Sequence, residues 1–152
     1  MLRIFQKKSK DKFYFMKEKV DIIPTGLTSN EVYTFSKNVF EDLGVELPNE
    51  YKEFLEYMNG YSYNGLVIFS KFNDEIKNIY NRASEKTRDL ICWNKNYREM
   101  TDTANYLILG KTSLEYVNYN SKNAEYEILS SATLDCIKSY KSFVDAIKYF
   151  FE

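Results

Sequence analysis

Three stretches late in the chain alternate in polarity and lie very close together: NYLILG (residues 105–110), SLEYVNYN (113–120) and EYEILS (125–130). They are joined only by the polar turns GKT and SKNA. A parallel crossover needs a dozen or more residues, so connections this short force the strands to run antiparallel. Within them Leu114, Tyr116 and Asn118 alternate with Glu115, Val117 and Tyr119. Tyr126 and Ile128 alternate with Glu125, Glu127 and Leu129. Period two with short turns predicts a meander. TLDCIKSY (133–140) reads as a last edge strand with Leu134, Cys136 or Ile137 inward, and LVIF (66–69) as a short earlier strand.

Helical patterns flank this β section. Thr28 and Glu31 have capping-box spacing, and Val32, Phe35, Val39 and Leu43 then recur at steps of three and four up to Gly44. This predicts one amphipathic helix with a glycine stop. LPNEYKEFLEYMNG (47–60) predicts a second, with Pro48 in the first helical position and Asn59–Gly60 as its end. Tyr51, Phe54, Leu55 and Met58 form its inward stripe, leaving Glu50, Glu53, Glu56 and Tyr57 on other faces. The short link makes the two helices neighbours. Residues 2–20 read as a first helix, although FYFM (13–16) also fits a strand. Asp74–Arg82 reads as a short helix with Ile76, Ile79 and Tyr80 inward. Residues 83–100 read as a helix around Leu90 followed by a polar loop. SFVDAIKYFF (142–151) closes the chain as a helix, with Phe143, Val144, Ile147, Phe150 and Phe151 on one side. Helices and strands in separate runs predict an α+β fold, helices packed against an antiparallel meander, in one domain over 1–152.

Composition narrows the chemistry. The chain has 152 residues, two cysteines and no histidine. Cys92 and Cys136 have neither CxxC nor metal-ligand spacing and read as small buried hydrophobes with free thiols. Without histidine the commonest general base and the commonest zinc ligand are missing. Phosphate-binding glycine loops, a GxSxG elbow and HExxH are all absent from the sequence. The expectation is a non-enzyme without metal or cofactor. No apolar run has the length of a membrane span, and the charged N-terminus is unlike a signal peptide, so a cytoplasmic protein is expected.

Charge is unevenly spread. Residues 1–20 hold seven Lys or Arg and two Asp or Glu, a net of +5; residues 31–60 hold two and seven, a net of −5. Two oppositely charged surfaces, or merely solvated helix faces, would account for this. Lys7, Lys8, Lys10 and Lys12 beside Phe13 and Tyr14 resemble a nucleic-acid patch, but the pI of about 5.7 and the acidic section oppose phosphate.

The order of motifs resembles the SMI1/KNR4 (SUKH) superfamily, most closely its bacterial YrhA-like branch. The residues that carry the resemblance are Leu47, Pro48, Tyr51, Phe54, Leu55, Asn59 and Gly60. A capped helix precedes them, Gly65–Phe69 follows, and then come YLILG, YVNYN, YEIL and a terminal helix opening on Ser142–Phe143. The resemblance implies a protein-binding role without catalytic residues. Bacterial members are largely immunity proteins that block a cognate toxin domain, often a nuclease or deaminase; fungal relatives look like scaffold or signalling proteins. An acidic face suits a basic toxin, and tyrosines near acids suit partner contacts. On that basis Glu46, Glu50, Glu53, Glu56, Tyr57, Tyr61 and Tyr63 are the expected contact residues. The alternative is a regulatory or scaffold module with a housekeeping partner.

Overall fold

The computed structural model describes residues 12–81, 84–103 and 105–151. The first part of the helix expected over 2–20, with Lys7, Lys8 and Lys10, lies outside these residues, as does Arg82. In chain order the helices are α1 (Tyr14–Lys17), α2 (Ser29–Leu43), α3 (Asn49–Tyr57), α4 (Asp74–Ile79), α5 (Glu85–Arg88), α6 (Leu90–Met100) and α7 (Phe143–Lys148). The strands are β1 (Tyr61–Tyr63), β2 (Leu66–Ile68), β3 (Tyr106–Lys111), β4 (Glu115–Asn120), β5 (Glu125–Ser130) and β6 (Cys136–Tyr140). A 3₁₀ turn over Tyr149–Phe151 follows α7. All six strands form one antiparallel sheet in sequential order, β1 to β6. The α+β fold and its meander therefore stand as expected.

Helix α2 starts where the capping box places it. The Thr28 side chain accepts from the Glu31 N–H at 3.2 Å, and the Glu31 carboxylate accepts from the Thr28 N–H at 3.0 Å. Gly44 ends it at φ 71°, the left-handed conformation that glycine adopts without penalty. Helix α3 differs slightly from expectation. Pro48 is its cap, at φ −66° and ψ 145°, and the helix stops at Tyr57 because Met58 is extended. Asn59 is buried rather than a simple stop: its amide exchanges two hydrogen bonds with the Lys71 backbone, at 2.8 and 2.9 Å.

The sheet is covered on both sides. Tyr116 pairs with Leu129 and Tyr119 with Tyr126, so Tyr116 and Tyr126 point to opposite faces. Tyr116 packs on Trp93 and Tyr97 of α6, whereas Tyr126 packs on Phe143 of α7. On the second side Phe13, Tyr51, Phe54 and Phe143 join in one aromatic cluster with ring centroids 5.6–6.4 Å apart. Covering both faces buries Val117 and Asn118 alike, and Ile128 and Leu129 alike.

Two local expectations are corrected, and one element is added. Residues 93–100 are helical, not a polar loop: Asp89 caps α6, and the buried Asn94 exchanges two hydrogen bonds, each 2.9 Å, with the Ile108 backbone. The segment YSYNG is a hairpin. Asn64 and Gly65 have φ of 47° and 87°, the paired positive values of a type I′ turn, and they join β1 to β2. Strand β6 is the expected edge, but Cys136 and Ile137 are exposed, and of the three residues expected inward Leu134 alone packs against the core.

Candidate partner-binding surface

Helices α2 and α3 form a hairpin whose inward stripes are buried and whose outer faces carry acidic residues of the 31–60 section. The stripe Val32, Phe35, Val39 and Leu43 is buried, as are Tyr51, Phe54, Leu55 and Met58. On the outer side Glu41, Asp42, Glu46 and Glu56 are exposed, and none has a hydrogen-bond or ion-pair partner among the described residues.

The seven expected contact residues do not form one patch. Glu46 and Glu50 come together in a polar recess of about 300 Å³ at the start of α3, walled by Tyr119, Tyr126 and Lys141. Glu50 already has a structural task there. Its carboxylate accepts from the Ser142 hydroxyl at 3.3 Å and the Phe143 N–H at 3.2 Å, tying α3 to the N-terminus of α7. Glu53 forms an ion pair with Lys12. Glu56 is exposed, and Tyr57 is half-buried against Phe13 at 6.1 Å. Tyr61 and Tyr63 belong to another cluster, packed with Phe151 at 6.3 and 5.4 Å. Tyr61 is 1% exposed, and its hydroxyl donates to the Met16 carbonyl at 2.7 Å. It is therefore a core residue with no surface to offer, and Tyr63 offers only its half-buried edge.

A different feature stands out. Tyr33 is 72% exposed and Phe40 54% exposed on the solvent side of α2. Seven residues apart, two helical turns, they project from one side of the helix. They line a groove of about 510 Å³ between α2 and α3, together with Ser29, Val32, Ser36, Lys37, Glu46 and Lys52. Large rings left in water lose the stabilisation that burial would give, and two in one groove make a patch rather than scattered exposure. The sequence held a signal for this patch. Tyr33 and Phe40 lie off the inward stripe yet repeat at helical spacing.

The remaining chemistry is quiet. Burial pushes both thiols up from their ordinary value, so neither is primed as a thiolate. Cys92 is half-buried and Cys136 is exposed, which corrects the expectation that both are buried. Among the described residues no group of three His, Cys, Asp or Glu is placed to hold a metal ion. No helix among them is long and apolar enough to cross a membrane. In comparison with known proteins, the chain matches no family model and none of the curated proteins.

Proposed function

We propose that the chain is an SMI1/KNR4-like immunity protein that binds and neutralises a cognate toxin domain, through the outer face of the α2–α3 hairpin and in the cytoplasm. One observation carries this reading. The pair Tyr33 and Phe40 stands exposed beside an open groove, in a region where Glu41, Asp42, Glu46 and Glu56 have no partners among the described residues. Aromatic rings in a central patch are the commonest energetic anchors of protein interfaces. The unpaired carboxylates around them would speed encounter with a basic surface and reject acidic ones. The motif order also supports the reading. The capped helix, the LPNEY helix ending at Asn59–Gly60, the Gly65–Phe69 strand segment, the meander and the Ser-Phe helix all fall on elements of one α+β fold.

Co-expression tests it. The toxin-like C-terminal domain encoded beside this gene should arrest growth alone and be tolerated with this protein, and the two should co-purify. Arrest that persists despite normal levels of this protein would remove the proposal.

A further inference from the structure

Residues 31–60 contain only two cations, Lys37 and Lys52, and both line the α2–α3 groove between Tyr33 and Phe40. Neither lysine has an ion-pair or hydrogen-bond partner among the described residues, although the hairpin around them is rich in free carboxylates. Lys37 is exposed and Lys52 half-buried. Glu46 is the one acid in the groove, so its lining carries a net charge of +1. Ser29, in the first turn of the 15-residue helix α2, also lines it, and the positive end of that helix dipole favours an anion on the same side. The groove is thus a small basic and aromatic spot inside an acidic face.

From this geometry we infer that the groove takes an acidic-apolar anchor of the partner protein: a large apolar side chain packed between Tyr33 and Phe40, with a neighbouring carboxylate held by Lys37 and Lys52. The inference rests on the protein-binding reading above and gives that face its register. The broad acidic field attracts a basic partner, and a single carboxylate on that partner finds its complement in this groove. Charges of opposite sign nested in this way select one docking pose, because any shift brings like charges together. The free carboxylates around the groove disfavour the other polyanion that lysines and aromatic rings attract, a single nucleic-acid strand.

The groove can be tested without any toxin. The isotope-labelled full chain is titrated at low salt with the blocked peptide Ac-Glu-Trp-Glu-NH2, and in parallel with its Gln and Lys counterparts. The acidic peptide should move the amide signals of Tyr33, Lys37, Phe40 and Lys52, and should bind about two- to fivefold tighter than the Gln form, the scale of exposed ion pairs. The double variant Lys37→Gln/Lys52→Gln should bind the acidic and Gln peptides equally. Its fold is checked by circular dichroism, and neither lysine side chain holds another element. Equal or tighter binding of the Lys peptide, or no shifts at millimolar peptide, would overturn the inference. So would a short oligothymidylate that moves the same signals at lower concentration. Failure here beside a stable toxin complex would remove the groove alone, whereas peptide binding without any toxin complex would remove the immunity reading alone.

Discussion

At Gly26 the chain has no room for a side chain. A Cβ built there would lie 1.9 Å from the Glu56 carbonyl oxygen, because the segment before α2 crosses tightly over the end of α3. The Leu27 N–H donates to the Leu55 carbonyl at 2.8 Å, and Thr25 makes two hydrogen bonds to the Glu75 carboxylate. Gly26→Ala should therefore cost about 1–3 kcal/mol, as overpacking does, read from the urea midpoint; an unchanged midpoint would show that the strap is loose. The tyrosines set a second expectation. Burial pushes the Tyr51, Tyr61 and Tyr126 hydroxyls well above their ordinary value of 10.0, with the Glu50 charge adding to the effect at Tyr126. A phenol whose pKa rises on folding holds its proton more tightly in the fold. The stability it lends is complete below 10 and is lost as pH climbs beyond it. The urea midpoint should fall above pH 10, and less steeply in Tyr61→Phe. A midpoint that stays flat, or the same slope in the variant, would contradict this.

Among the elements, α6 joins the two halves of the fold. Arg98 donates to the Leu43 carbonyl at 2.6 Å and to the Tyr106 carbonyl at 2.7 Å, fastening the last turn of α2 to the start of β3. Arg98→Met should cost about 2–4 kcal/mol by removing two charge-assisted bonds; a loss below half a unit would mean that water replaces them without cost. Helix α6 was also the element least legible in the sequence. Its inward side carries Asn94, a polar residue used to complete the β3 backbone, so the apolar stripe through Trp93 and Tyr97 is interrupted by a polar position. Helices α2 and α3 were legible because each has an unbroken stripe and at least one recognisable end signal. The meander was legible from its turns, whereas the double burial of β4 and β5 blurred its alternation. Strand β1 is three residues long, too short for periodicity, although Asn64–Gly65 marked its hairpin. At the candidate surface Glu46 and Glu56 are exposed, whereas Tyr61 lies in the core. The tie from Glu50 to Ser142 and Phe143 joins residues far apart in sequence, and no local pattern announces it.

For the molecule as a whole, the fold uses both sides of its sheet for packing and leaves exposed rings and unpaired carboxylates on the outer α2–α3 face. Exposed rings and unpaired carboxylates there make a claim about binding, and the claim is quantitative. A complex steered by the acidic face should weaken as salt rises, since screening acts on exposed charges. One held by the aromatic patch should lose at least about 1–2 kcal/mol when either ring is truncated. Under the proposed immunity role, the most direct measurement is the dissociation constant of the purified protein with a toxin domain that it protects against, for the wild type and for Phe40→Ala. The account predicts sub-micromolar binding, about tenfold or more weaker in Phe40→Ala, with that variant folded like the wild type because Phe40 is 54% exposed. Wild-type binding no tighter than millimolar, or equal affinity in the variant, would contradict it.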